Sequence, residues 1–196
     1  MLNWFKLNKN YPAFWERYLE NIDKKSNRFV VITTEISGYD VNKNTILSLG
    51  AIAVINDKIV VGDSFEVVVK QAELTEKYVD NDGDFLKNEN EVSEAFAMEA
   101  FVNFVSNATL IGHRIDFDIE TINVALKKMG CSELKNEALD LEVMFRKWKH
   151  ISDDKNVEIK SILEIFEVEK ADRNSTILDA YDLAIVFLKL KLKLKF

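Results

Sequence analysis

The chain has 196 residues, a formal net charge of −7, 47% hydrophobic and 30% charged residues, six Gly, one Pro and one Cys. This length and composition predict one globular domain with a sizeable core, and they exclude disordered, collagen-like and disulfide-stapled chains. No apolar run reaches the roughly 18 residues that a membrane span needs. The single Cys131 fits a reducing compartment, so we predict a cytoplasmic protein.

The charge is unevenly distributed along the chain. Residues 1–28 contain six basic and three acidic side chains, residues 29–187 contain sixteen and thirty, and residues 188–196 contain four and none. Affinity for duplex phosphates comes largely from Lys and Arg, so the acidic body argues against a protein that coats a duplex. It leaves open a metal-dependent nuclease, because carboxylates can bring metal ions to a phosphate.

The N-terminal segment predicts a helix over residues 11–22, with Pro12 near its first turn, where a missing N–H costs least. One broad side of this helix carries Phe14, Trp15, Tyr18 and Leu19. Packing of these side chains on the domain is one interpretation, and docking of a protein partner is the other. We therefore divide the chain into an N-terminal aromatic helix (1–27), a main domain (28–190) and a basic amphipathic tail (191–196).

The main domain begins with a period of two. Stretches 29–35, 46–55 and 58–69 are rich in Val and Ile and are separated by short turn sequences, which predicts an antiparallel meander of three strands. The remaining pattern predicts a helix opening at Ser93 and further elements at 108–112, 117–129, 138–140, 141–148, 159–166 and 175–190. This order of elements predicts an α/β fold with a mixed sheet. The polar stretch 80–91 predicts a flexible loop.

The C-terminal tail alternates Leu and Lys from residue 188 to residue 195. Strict alternation is typical of an amphipathic edge strand or of a tail that seeks an acidic or membrane surface. A helix that continues and frays at the chain end is the alternative.

Three carboxylates lie where predicted elements end or begin. Glu35 is two residues after Thr33 on the first strand, so the two side chains point to the same face. Asp118 is in the first turn of a predicted helix, where the positive helix end favours an ionised carboxylate. Asp179 lies on the last helix, on the side opposite the apolar residues that recur at the spacing of a core-facing helix.

The sequence around these acids resembles the three motifs of the DEDDh class of 3′-to-5′ exonucleases, the DnaQ-like proofreading family that includes the DNA polymerase III epsilon subunit. Residues 29–40 (FVVITTEISGYD) and 46–51 (ILSLGA) are similar to the first motif. Residues 110–118 (LIGHRIDFD) resemble the second motif, and residues 174–180 (NSTILDA) resemble the third. The resemblance covers residues 28–190, and its three motifs occur in order.

The resemblance implies a ribonuclease H-like fold with helices on both faces of the sheet, and hydrolysis with two Mg²⁺ or Mn²⁺ ions. It implies Glu35, Asp118 and Asp179 as catalytic metal ligands. The implied substrate is a single-stranded or frayed 3′ end of DNA or RNA. The substrate-contacting positions that carry over are Ile36, Ser37, Leu47, Arg114 and Phe117. For Arg114 a nearby acid is an alternative partner, and for Phe117 a place in the core.

The sequence departs from the family pattern at two catalytic positions. Thr33 stands where the family has a metal-bridging aspartate, and Asn174 stands where it has the general-base histidine. A hydroxyl is neutral, and an amide cannot accept a proton near neutral pH. We therefore predict weak or absent hydrolysis, with an inactive homologue that binds nucleic acid or protein as the alternative. Other acids near the motifs, which offer substitute ligands, are Asp40, Asp116 and Asp182, and His113 is expected to be structural.

Overall fold

The structure is a computed structural model that describes residues 10–38, 45–70, 91–169 and 175–195. Within these residues, six strands form one sheet in the order β4-β3-β2-β1-β5-β6. The strands are β1 (Arg28–Ile36), β2 (Ile46–Ile55), β3 (Lys58–Val69), β4 (Glu91–Val92), β5 (Thr109–Gly112) and β6 (Ala138–Asp140). The helices are α1 (Ala13–Asn21), α2 (Glu94–Val105), α3 (Ile115–Lys128), α4 (Leu141–Lys149), α5 (Ile159–Ile165) and α6 (Thr176–Leu194).

The sheet is mixed, as the sequence predicts. Strands β1, β2 and β3 form an antiparallel meander, whereas β5 pairs parallel to β1, β6 parallel to β5 and β4 parallel to β3. Asn56 and Asp57 have φ values of 50° and 59° and form the two-residue turn between β2 and β3. Positive φ at both central residues matches the right-handed twist of the strands, so this turn fixes the register of the hairpin.

Both faces of the sheet are covered by helices. On β1, Val30 and Ile32 belong to the buried cluster shared with α1, α2 and α3, whereas Val31 belongs to the cluster shared with α4, α5 and α6. Alternate residues of a strand point to opposite faces, so a strand buried on both sides reads as a continuous apolar run. Strand β1 ends at the edge of these two layers, where the candidate site lies.

Helix α1 packs its aromatic side chains into the domain. Phe14, Trp15 and Tyr18 are buried. The indole Nε1 of Trp15 donates a hydrogen bond to Ser132 Oγ at 3.2 Å, and the Tyr18 hydroxyl donates to Asn136 Oδ1 at 2.8 Å. Burial raises the pKa of Tyr18 to about 12. These three rings are therefore not available to a protein partner, and the packing interpretation is the one that fits.

Two of the differences from the predicted bounds of the elements have a clear physical cause. Helix α3 begins at Ile115 instead of 117, because Asp140 at the end of β6 accepts a hydrogen bond from the Ile115 N–H at 2.9 Å. Helix α6 continues through residues 191–194, so the edge-strand interpretation of the tail is wrong. Leu190 is buried in the core, and Lys191 pairs with Asp57 at 2.5 Å. These tertiary contacts stabilise the helix, although the alternating sequence is typical of a strand.

The predicted loop 80–91 lies mostly outside the described residues, and Glu91 begins β4. In the described part of the chain, no helix is both long enough and apolar enough to cross a membrane.

Candidate active site

The end of β1 presents the residues of the first motif. Thr33 pairs with Gly50 and Glu35 pairs with Ser48 across the β1–β2 ladder. Glu35 is exposed, and its Oε2 accepts a hydrogen bond from the Ser48 hydroxyl at 3.3 Å. Thr33 and Glu35 thus share one face of the strand, as their spacing predicts.

The first turn of α6 is held directly against this part of the sheet. Thr33 Oγ1 donates a hydrogen bond to the Thr176 carbonyl oxygen at 2.6 Å. Glu66 on β3 caps the helix, because its Oε1 accepts from the Ile177 N–H at 3.0 Å and from Ser175 Oγ at 2.8 Å. A carboxylate at a helix N-terminus satisfies an unpaired N–H and is stabilised by the helix dipole. These contacts place the start of α6 over the sheet.

Asp118 enters the site from the first turn of α3. It is half-buried, and its Oδ1 accepts a hydrogen bond from the hydroxyl of Thr34. Burial raises the pKa of Asp118 from 3.8 to about 7; the Thr34 hydrogen bond opposes this rise, and the nearby charge of Asp140 adds to it. Near neutral pH this carboxyl is therefore partly protonated.

This raised pKa gives a testable dependence of stability on pH. The protonated form of Asp118 stabilises the fold fully below about pH 4, and this contribution is lost as the pH rises through about 7. Asn cannot ionise and keeps an oxygen for the Thr34 hydroxyl. We therefore compare the free energies of unfolding of Asp118→Asn and the wild type at the two pH values. The difference, variant minus wild type, should be roughly 2 kcal/mol larger at pH 8 than at pH 4. Urea titrations of both proteins at the two pH values measure this difference.

The matched control is Asp116→Asn, two residues earlier on the same helix. Asp116 is exposed, so removing its charge should leave the difference from the wild type equal at pH 4 and pH 8. An Asp118→Asn variant that tracks the wild type at both pH values would contradict the burial of the Asp118 charge.

A cavity of about 610 Å³ lies between the end of β1 and helices α5 and α6. It brings together Asp118 and Asp179, two of the three predicted metal ligands. Its other lining residues are Ile32, Thr33, Thr34, His113, Ile159, Lys160, Leu163, Glu164, Val168, Asp182 and Leu183. Glu35 does not line it. The cavity therefore combines a carboxylate floor with an apolar wall from α5 and α6.

The predicted substitute ligands differ in their position relative to the cavity. Asp182 is buried and lines the cavity beside Asp179, one helical turn away. Asp116 is exposed and does not line it, and Asp40 lies outside the described residues, as does the predicted base position, Asn174. Of the two candidates that the structure describes, Asp182 is the one that lines the cavity.

The described residues do not form the expected two-ion site. Over residues 10–38, 45–70, 91–169 and 175–195, no three His, Cys, Asp or Glu side chains are grouped so that they could hold a metal ion. The Thr33 hydroxyl, at the bridging position, donates its proton to a carbonyl and carries no charge. Mg²⁺ and Mn²⁺ prefer charged oxygen ligands. As the side chains stand, they do not fit a metal pair.

The predicted substrate contacts are not among the residues that line the cavity. Ile36 packs against the core, and Leu47 is half-buried at the start of β2. The Ser37 N–H donates to the Thr45 carbonyl oxygen at 3.0 Å, which closes the strand end. Phe117 is half-buried in the first turn of α3. These positions stay predictions for substrate contact.

Arg114 pairs with neighbouring acids, which was the alternative to a substrate contact. Its Nε donates to Glu142 Oε2 at 2.9 Å, and its Nη2 lies 3.7 Å from Glu158 Oε1. Glu142 is buried and also accepts from the Val157 N–H at 2.8 Å. Hydrogen bonds to its charged form lower the pKa of Glu142, although burial acts in the opposite direction. This network ties the second motif to the segment that leads into α5.

His113 also bonds to the backbone of the segment that leads into α5, as a structural histidine does. Its Nε2 lies 3.0 Å from the Val157 carbonyl oxygen, so the Nε2-protonated tautomer donates to it. Because the ring lines the cavity while bonded to backbone, it fixes the position of the loop before α5.

Several site residues were missed at the level of sequence. Thr34 and Lys160 line the cavity, and Glu66 caps α6. The spacing of Lys160 and Glu164 on α5 is i, i+4, the only local signal that they share one face. Glu66 acts on a residue 111 positions later in the chain, and no local pattern marks such a contact.

Comparison with known proteins gives consistent results. A sequence model of the family described as Exonuclease (RNase_T) matches residues 30–187. The PolC-type DNA polymerase III of Halalkalibacterium halodurans is 30% identical over 86% of this chain and 11% of its own length. DNA polymerase III subunit epsilon of Aquifex aeolicus is 26% identical over 83% of this chain and 79% of its own length. The chain thus spans only a small fraction of the PolC-type relative.

Solved structures with a similar fold include E. coli exonuclease I in complex with a dA16 oligonucleotide, with a TM-score of 0.68, 13% identity, and coverage of 86% of this chain and 41% of that chain. The zinc-bound form of the E. coli exonuclease I complex with single-stranded DNA has a TM-score of 0.67 and 13% identity, and covers 85% of this chain and 41% of that chain. At such identity the likeness shows the fold. It confirms the mixed α/β, ribonuclease H-like architecture.

Proposed function

Because this chain belongs to the exonuclease family, we propose that it binds single-stranded or frayed 3′ ends of DNA or RNA with weak or no hydrolysis. The observation that carries this proposal is the hydrogen bond from Thr33 Oγ1 to the Thr176 carbonyl oxygen, 2.6 Å long. The residue at the bridging position is used to hold α6 on the sheet. Its neutral oxygen leaves the site without the charge that a bridging ligand would supply.

The second support is the place of Asn174 in the third motif, where the family resemblance expects a general base. A general base contributes about 10² to 10⁴ in rate, and an amide cannot replace it. The two departures affect different parts of the reaction, metal holding and proton transfer. Together they favour binding over turnover.

The cavity has features that suit the end of a strand. The apolar side chains of Ile159, Leu163 and Leu183 form one wall, and Lys160 adds a cation at the rim. Asp118, with its pKa raised to about 7, is partly uncharged near neutral pH and repels a phosphate less than an ordinary carboxylate. A terminal nucleoside can thus lie against the apolar wall, with its phosphate toward Lys160.

The test uses a 5′-labelled single strand, as DNA and as RNA, with Mg²⁺ or Mn²⁺. We expect the strand to keep its length on a denaturing gel while its fluorescence anisotropy rises with protein concentration. A circular single strand of the same length, which has no 3′ end, should compete poorly. Shortening of the strand by the wild type as fast as by the variant Thr33→Asp with Asn174→His would contradict weak or absent hydrolysis, and equal competition by the circle would contradict end binding.

A pair of variants locates the binding site. Lys160→Ala should weaken strand binding several-fold, because it removes the cation at the cavity rim. Lys155→Ala removes an exposed cation from the preceding loop, outside the cavity lining, and should change binding little. If neither the DNA nor the RNA strand binds at all, the inactive protein-binding module becomes the better description.

The buried free thiol of Cys131 agrees with the cytoplasmic location that we also propose.

A further inference from the structure

A second hollow, of about 540 Å³, lies where the C-terminal ends of α4, α5 and α6 meet. We call it the basic hollow. Its lining residues are Trp148, Ile165, Phe166, Glu167, Lys189, Leu192 and Lys193. No residue of this group lines the candidate active site.

The base of the hollow is a packed aromatic group. The rings of Trp148 and Phe166 are stacked, with centroids 5.2 Å apart and planes 19° apart. Phe145 meets both rings edge-on, at 5.7 and 6.2 Å. Aromatic groups held by several neighbours form a rigid surface, so the hollow is preformed.

Two aliphatic side chains at the hollow are unusually exposed. Leu192 is 78% exposed and Ile165 is 49% exposed. On α6 the neighbouring Leu190 is buried in the core, so the exposure of Leu192 comes from its position on the helix and not from fraying of the whole turn. Exposed apolar side chains beside a concave surface are typical of an interaction site.

The rim of the hollow is positive. Lys189 and Lys193 line it, and Glu167 is the one acid in its lining. The Nζ atoms of Lys149 and Lys193 lie 4.2 and 5.7 Å from the centroid of the Trp148 ring. Residues 29–187 contain thirty acids and sixteen bases, so this cluster is a local reversal of the charge of the body. A positive patch on a negative protein selects a negative partner.

We propose that the basic hollow binds an acidic segment of a partner protein that inserts one apolar side chain between the exposed side chains of Leu192 and Ile165. Leu192 and Ile165 contact the anchor, and the ammonium groups at the rim donate hydrogen bonds to the flanking carboxylates. Lys189 Nζ also donates to the Phe166 carbonyl oxygen, which leaves further N–H groups for a carboxylate. Single-stranded nucleic acid fits less well, because it needs open aromatic faces and cations spaced along a track. Here Phe166 and two ammonium groups already lie against Trp148, and the cations surround a single concavity.

Such a partner would be held next to the candidate active site. Leu163 and Glu164 of α5 line the active-site cavity, and the next two residues, Ile165 and Phe166, line the basic hollow. The two pockets therefore share the walls that α5 and α6 form. This arrangement places an acidic partner beside a bound strand end without overlap of the two ligands.

The probe is a fluorescent peptide of twelve residues, all Asp and Glu except for one central Phe. Its matched peptide has Ala in place of Phe, and a labelled oligo(dT) strand of equal charge represents nucleic acid. We expect the Phe peptide to bind the full chain, the Ala peptide to bind at least about 5-fold more weakly, and the dT strand not to displace the Phe peptide. Affinity for the peptide should fall as salt is raised from about 50 to about 300 mM.

Two variants test the hollow itself, and each has a matched control on the other face of the sheet. Lys193→Glu and Leu192→Ser should each raise the Kd for the Phe peptide about 5- to 10-fold. Lys127→Glu and Phe96→Ser change an exposed cation and an exposed apolar side chain on α3 and α2, and should leave the Kd within about 2-fold. Thermal melts confirm that all four variants are folded.

Three results would overturn the proposal. Equal affinity for the Phe and Ala peptides would reduce the effect to unspecific charge attraction. Displacement of the peptide by oligo(dT), with loss of strand binding in Lys193→Glu, would assign the hollow to nucleic acid. Failure of the Phe peptide to bind at millimolar concentration would show that the hollow takes no acidic peptide.

Discussion

Replacing Gly50 with Ala should lower the free energy of unfolding by about 3 kcal/mol or more. A Cβ atom at this position would lie 2.2 Å from the Thr176 carbonyl carbon, 2.3 Å from its oxygen and 2.6 Å from the Ile177 nitrogen. These are backbone atoms in the first turn of α6, so no side-chain rotation can relieve the clash. The helix must move away from β2, or the strand must bend.

The expected movement has a functional readout. Thr33 and Glu66 hold the same turn of α6 by hydrogen bonds, and Asp179 follows within one turn. A shift of the turn would break these bonds and carry Asp179 away from Asp118 across the cavity. Gly50→Ala should therefore also weaken binding of a 3′ end by more than its loss of stability explains, when binding is measured on the folded fraction.

Gly62→Ala is the matched control for this prediction. Gly62 lies on β3, and a Cβ atom added to it would have no other atom within 4 Å, so Ala fits there without a clash. We expect its free energy of unfolding to stay within about 0.5 kcal/mol of the wild type. Equal stability of Gly50→Ala and Gly62→Ala in urea titrations would show that α6 does not rest on β2 at Gly50.

Much of the fold could be predicted from local pattern. The three-strand meander could be predicted from period-two apolar stretches and from the Asn56-Asp57 turn. The positive φ values of this turn depend only on the two residues that form it. The end of α3 followed from Gly130, which has a φ of +79°. The start of α3 could not be predicted in the same way, because Asp140 fixes it from a strand 25 residues later. The two-residue β4 has too short a pattern to be recognised.

The site was predictable in part, and for a different reason. Asp118 and Asp179, two of the predicted ligands, line one cavity although they are far apart in the chain. Glu35 lies on the predicted strand face but outside the cavity lining. The role of Thr33 was not predictable, because its hydrogen-bond acceptor is 143 residues away. Motif similarity names candidate residues, and only the tertiary structure shows which of them line the cavity and what each one bonds.

The largest functional change should come from restoring both departures at once, in the variant Thr33→Asp with Asn174→His. We expect this double variant to shorten a 5′-labelled strand with Mn²⁺ at least about 10²-fold faster than the wild type, since each position restores a group with its own contribution to rate. Denaturing gels at equal protein concentration measure the ratio. Adding Asp179→Asn to the double variant should abolish the gain, because Asp179 is a predicted ligand.

The first of these changes should also lower stability. An aspartate at position 33 cannot donate to the Thr176 carbonyl oxygen, and it adds a negative charge to a cavity that already contains Asp118 and Asp179. Thr33→Asp alone should therefore lose roughly 2 kcal/mol in free energy of unfolding without divalent ions. Mn²⁺ should return part of this loss in the variant and little in the wild type, because an ion that binds only the folded state stabilises it.

These two measurements separate the possible outcomes. Stabilisation by Mn²⁺ together with strand shortening would mean that the cavity keeps the rest of the family's chemistry, and that Thr33 and Asn174 alone account for its loss. A folded double variant that neither gains stability from Mn²⁺ nor shortens the strand would contradict this prediction. In that case the residues at positions 33 and 174 would not by themselves account for the loss of hydrolysis.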